Sequence, residues 1–163
     1  MFNGNDAIDL LLQSERVFID LYHLLIFKNS NFEKEENEEN LKEHLSFIIV
    51  REWKIIQEHE EYRCFFFKKK LTAISQYNHY VYYSYLNTKE KKESIKNAIE
   101  KSFSKIVDRL PVENGVIDYA VQENDNTWII VLNPFNQHTG PSLFCWKKDK
   151  ELLENGGLEI RIV

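Results

Sequence analysis

Apolar positions along this chain follow two rhythms, and the switch between them divides it. After Asp6, a candidate N-cap, Ile8, Leu11 and Leu12 fall on one helical face and predict a short helix. Ser14 to Phe27 is so densely apolar that periodicity leaves a second helix and a buried strand both open. Residues 29–43 then crowd Glu33, Glu35, Glu36, Glu38 and Glu39 together. This stretch is expected as a solvated surface loop or insertion rather than an acidic interaction tail.

The middle of the chain changes period. Phe47-Ile48-Ile49-Val50 has the β-branched content of a buried strand and is expected to run on into Arg51-Glu52-Trp53. Glu61 to Phe67 and Leu71 to Gln76 predict two further strands joined by the basic turn Lys68-Lys69-Lys70. Helical period returns after Asn87 or Thr88, either of which can cap. Ile95, Ile99, Phe103, Ile106 and Leu110 form the buried stripe, and Pro111 is expected to end it. A second hairpin follows, with strands Gly115 to Gln122 and Thr127 to Leu132 around the turn Glu123 to Asn126. Helix, strand, hairpin, helix, hairpin is an α+β order: a mainly antiparallel sheet with flanking helices, in one domain spanning 1–163.

Composition narrows the function classes. With 43% apolar residues among 163, the chain has the material for a core, and disorder is not its default state. A net charge of −5 argues against a protein that binds nucleic acid by neutralising phosphates. Cys64 and Cys145 lie in apolar strings without metal-ligand spacing and are expected as buried free thiols. Met1 to Asp6 lacks a basic leader, and the Val17 to Phe27 stretch is too short for a bilayer, so a cytoplasmic protein away from membranes is expected.

The second hairpin carries the candidate chemistry. If Glu123 to Asn126 form its loop, Asp118 lies opposite Val131 and Asn133 shares their face, while Ile117, Tyr119, Ile130 and Leu132 point the other way. Asp118 and Asn133 could offer two oxygens to a magnesium ion, which usually needs one or two carboxylates plus substrate phosphates. A strand-edge aspartate satisfied by backbone donors is the plain alternative. Arg63 points away from Tyr62 and Cys64. It could fork onto a phosphate from the Asp118 face, or form an ordinary ion pair, for instance with Glu52 or Glu61. The run Tyr77, Tyr80, Tyr82, Tyr83, Tyr85 is expected to pack core and rim, with a partner surface as second reading. The histidines have no metal spacing, and no nucleophile elbow, Walker loop or dinucleotide fingerprint occurs.

Several blocks in order resemble a known family. Val50-Arg51-Glu52-Trp53, Glu61-Tyr62-Arg63-Cys64-Phe65, Leu71-Thr72-Ala73-Ile74-Ser75-Gln76, Val116-Ile117-Asp118-Tyr119, Asn133-Pro134-Phe135 and Leu143-Phe144-Cys145-Trp146 are similar to the cell division cycle protein 123 family. The resemblance implies an ATP-grasp-like fold that binds ATP with Mg²⁺. It also implies a role as assembly chaperone of eukaryotic translation initiation factor 2, engaging the γ subunit. On that likeness Arg63 is a phosphate-side arginine, Asp118 and Asn133 are metal-side ligands, and Arg51, Glu52 and Trp53 lie at the hinge beside the nucleotide.

The chain departs from the family pattern in three places. Val131 stands where the family has a metal aspartate, and Tyr77 where it has an arginine. Family members also carry roughly a hundred further residues ahead of the matching region, including much of the other nucleotide-binding lobe. Losing a metal carboxylate removes a full charge from the clamp, so Mg·ATP binding is expected to be weakened or absent. The expectation is a shortened, degenerate, non-enzymatic family member. Its rivals are an ATP-grasp ligase joining a carboxylate to an amine, and an interaction module with some other protein partner.

Overall fold

The computed structural model describes residues 4–30, 51–123 and 126–163. They fall into two units, Met1–Glu52 and Trp53–Val163. In the first unit, α1 spans Gly4–Leu12 and α2 spans Glu15–Ser30, so the dense apolar stretch resolves as helix. Asp6 sits inside the first turn of α1 rather than capping it, where its charge still meets the positive end of the helix dipole. Ser14 opens α2: its hydroxyl accepts the Val17 N–H at 3.4 Å and its carbonyl the Phe18 N–H at 3.0 Å. The expected strand at 47–50 and most of the acidic insertion at 29–43 lie outside the described residues.

The second unit is built on five strands. They are β1 (Glu61–Phe67), β2 (Lys70–Gln76), β3 (Gly115–Val121), β4 (Thr127–Asn133) and β5 (Glu159–Arg161). The sheet order is β4-β3-β1-β2-β5, antiparallel throughout except for the parallel β2–β5 pair. The expected α+β fold with a mainly antiparallel sheet is the fold found. Arg51-Glu52-Trp53 do not continue a strand as expected; residues 51–57 are irregular, with Trp53 88% exposed. The sheet offers these residues no ladder partner among the described residues.

Both faces of the central strands are buried, which is why β1 and β3 read as near-continuous apolar runs. Tyr62, Cys64, Phe66, Ile117 and Tyr119 pack beneath α3 (Lys89–Ser104), which contributes Ile95, Ile99 and Phe103. On the opposite face Phe65, Ala73 and Val116 meet Phe144 and Leu153, the latter from α4 (Lys150–Asn155). Thr88 caps α3 by accepting the Lys91 N–H at 3.2 Å. The helix stops at Ser104, well before Pro111, and a tight 3-10 turn at Val107–Arg109 follows. Ile106, Val107 and Leu110 still reach the core, but through that turn, whose carbonyls at Val107 and Leu110 accept the Lys69 ammonium.

The basic turn is tighter than read. Lys68 and Lys69 alone form it, both at positive φ (48° and 60°), and Lys70 already pairs with Phe67. Such turns usually take Asn-Gly. Here Asn114 and Glu113 accept the two backbone N–H groups at 2.8 and 2.9 Å and hold the strained pair in place. Gly115 lies opposite Phe66, where a Cβ would come within 2.6 Å of the ring, so only glycine fits. No helix among the described residues is long and apolar enough to cross a membrane.

Candidate functional site

The sheet face covered by Phe144 and Leu153 also presents the polar residues singled out from sequence. Arg63 on β1 is the cross-strand neighbour of Asp118 on β3, and Asp118 is paired with Val131 on β4. That last pairing is the expected one, although the register nearer the turn is shifted. Val121 rather than Gln122 faces Thr127, and a bulge between Asp118 and Tyr119 absorbs the extra residue, Ile130. The bulge puts Ile129, not Ile130, opposite Tyr119 and against the α3-side core, and leaves Asp118 facing Val131.

Arg63, Asp118 and Asn133 come together as a closed triad. Arg63 donates through Nε to Asp118 Oδ1 and through Nη2 to Oδ2, both at 2.8 Å, the bidentate fork that guanidinium geometry favours. Asn133 Nδ2 donates to the same Oδ2 at 3.1 Å. Arg63 Nη1 donates to the Gly140 carbonyl at 2.6 Å, and its Cζ lies 4.8 Å from the centroid of the Tyr77 ring. Burial works against the Arg63 charge, but the hydrogen bonds and field of Asp118 outweigh it and hold the guanidinium more firmly protonated. The ion pair named as an alternative for Arg63 is the arrangement found, with Asp118 rather than Glu52 or Glu61 as partner.

Beside the triad opens a cleft of about 590 Å³ lined by Glu58, Glu61, Arg63, Tyr77, Tyr80 and the 140–142 turn, among others. Burial raises the pKa of Glu61, and the nearby charges of Asp118 and Glu58 push it further. Sequence reading missed Glu58, Glu61 and Gly140 as members of this site. Nothing in the local pattern joins residue 140 to residue 63; only the closed fold does. Tyr77, noted for replacing an arginine, is the residue that stacks on Arg63. Of the residues expected at the hinge, Trp53 is not among the lining residues of this cleft, and Arg51 and Glu52 belong to the first unit.

The loop that closes the cleft is tied down by its own network. Ser75 Oγ accepts the Leu143 N–H at 3.0 Å, and Trp146 Nε1 donates to the Thr139 carbonyl at 2.7 Å. Arg161 on β5 forks onto Asp149 at 2.9 and 3.0 Å and lies 4.1 Å over the Phe144 ring. Cys64 is a buried free thiol as expected, whereas Cys145 is free but only half-buried. Of the tyrosine run, Tyr83 packs on the core while Tyr80 (87% exposed), Tyr82 and Tyr85 face solvent.

The implied magnesium ion can be tested against these side chains. Asp118 is 3% exposed, and its two oxygens already accept three hydrogen bonds, two of them from a guanidinium that offsets its charge. Asn133 donates its Nδ2 to the same carboxylate, which leaves its amide oxygen as a single neutral ligand, and Val131, 40% exposed, contributes no oxygen. Among the described residues no three His, Cys, Asp or Glu side chains converge on a common point. As arranged, this set does not fit a divalent ion.

Comparison with known proteins bears on the same region. The D123 family model matches residues 3–163. A translation initiation factor eIF2 assembly protein from Dictyostelium discoideum is 29% identical over 88% of this chain and 35% of its own length. Its counterpart in Schizosaccharomyces pombe is 32% identical over 71% of this chain and 35% of its length. The solved structure of Cdc123 from Schizosaccharomyces pombe superposes with a TM-score of 0.61 and 32% identity, covering 69% of this chain and 44% of that one. The chain thus spans about a third of the length of the curated relatives it matches.

Proposed function

The chain belongs to the D123 family, and from that premise we propose that it acts in the assembly of eukaryotic translation initiation factor 2. In this reading it is a cytoplasmic, non-enzymatic factor that engages the γ subunit, with neither nucleic acid nor membrane as partner. The observation that carries it is the match along nearly the whole chain to a family whose curated members are named eIF2 assembly proteins. The ATP-grasp-like sheet serves as a scaffold for protein contact, and its polar face is closed on itself by the Arg63–Asp118–Asn133 triad. Mg·ATP binding is weak or lost. Val131 and the neutralised Asp118 both support that reading, and both oppose a ligase that must clamp a nucleotide through metal.

The test is capture of purified γ subunit by the purified chain at matched concentrations. Enrichment above an unrelated acidic protein of similar size is the expected result. Capture no better than that control would remove the assembly role and leave an interaction module with a different partner. The exposed Tyr80, Tyr82 and Tyr85 would then be the first surface to follow.

A further inference from the structure

The cleft next to the triad has the wrong charge for a polyphosphate. Asp118 and Arg63 cancel one another, which leaves Glu58 and Glu61 in excess. Glu58 accepts from the Asn78 amide at 2.9 Å, a neutral donor, and among the described residues the Glu61 carboxylate makes no hydrogen bond or ion pair. Arg63 is the sole Lys or Arg among the lining residues. The rest of the lining is rich in π-faces. Tyr77 already stacks on a guanidinium, and Tyr80 stands out into solvent with its ring 4.1 Å from that of His79.

One guanidinium is therefore already held in this lining, by a carboxylate fork on its edge and a tyrosine on its face. A second has the same two kinds of contact open to it: free carboxylate at Glu61 and an exposed ring at Tyr80. The geometry points to a site for the guanidinium of an arginine side chain presented by a protein partner. Planar, weakly hydrated and delocalised, a guanidinium suits a carboxylate-and-tyrosine cleft better than the compact ammonium of lysine. The inference rests on the assembly reading only in that the arginine comes from a protein.

The experiment titrates the isotopically labelled full chain with N-acetyl-argininamide and, separately, with its neutral citrulline counterpart, following backbone amide shifts. The arginine probe is expected to shift amides at 58–63 and 77–80 saturably, while the citrulline probe leaves them in place. Glu61→Gln should weaken the arginine probe by about tenfold, the loss of a charge-assisted hydrogen bond. Tyr80→Ala, at a solvent-facing position that leaves the fold intact, should weaken it severalfold. Equal shifts from both probes, no shift from either, or unchanged affinity in both variants would overturn the site. A chain that captures γ subunit but ignores the probe sinks this inference alone, whereas probe binding without capture sinks the assembly reading alone.

Discussion

Hairpin counting puts Asp118 and Asn133 on one sheet face, and strand alternation turns Arg63 away from Tyr62 and Cys64; that Arg63 shares the Asp118 face follows only from β1 lying beside β3. Their bonding to one another could not be read there, because partner choice across strands depends on which side chains the closed fold leaves nearest. Both are nearly buried, so removing either leaves the other charge without its partner. Arg63→Ala or Asp118→Ala should each cost about 3 kcal/mol in denaturant unfolding, and the Arg63→Ala/Asp118→Ala double variant clearly less than their sum. Additive losses would mean that the pair is not coupled. Glu61 should behave in the opposite sense. Its pKa is raised in the folded state, chiefly by burial and then by Asp118 and Glu58, so its stabilising contribution exists at acid pH and is lost as pH rises through that raised value. Glu61→Gln is therefore expected to raise the thermal midpoint at neutral pH, with the gain vanishing below the ordinary carboxylate range. A variant less stable than the native chain at neutral pH would contradict this.

At the scale of elements, strand patterns were legible almost to the residue, as in Glu61–Phe67, because burial on both faces left little ambiguity. Several features escaped, among them α4 and β5, for which the pattern gave no expectation, and the irregular course of Arg51-Glu52-Trp53. The β3–β4 bulge depends on which of Ile129 and Ile130 fits beneath α3, and α3 ends early because Lys69 and the core draw residues 106–110 into a tighter turn. The loop from Pro134 to Lys148 has no regular pattern to read; its order comes from anchors such as Asp149–Arg161. The hydrogen bond from Arg161 is the main cause of the lowered Asp149 pKa. The stability it brings is thus complete above the ordinary aspartate value and is lost as pH falls through the lowered one. Asp149→Asn should cost about 1–2 kcal/mol at neutral pH, on the scale of a partly exposed bidentate pair, and almost nothing at strongly acid pH. Urea unfolding at the two pH values measures both. Within α3, Ile99 is fully buried, and Ile99→Ala should cost about 3 kcal/mol by opening a cavity under the sheet.

At the scale of the whole molecule, fold class and family were legible because six blocks keep their order along the chain, five of them in the sheet and the loop that closes it. What the site binds was not legible from the same blocks. Family likeness puts Mg·ATP beside Arg63, Asp118 and Asn133, whereas in this chain those residues satisfy one another and the adjoining cleft is acidic. We accordingly propose a scaffold on which Mg·ATP binding is weak or lost. Calorimetric titration of the native chain with Mg·ATP, beside Val131→Asp, tests that claim most directly. On that proposal the native chain gives no saturable heat. Saturable, magnesium-dependent binding by the native chain would contradict it.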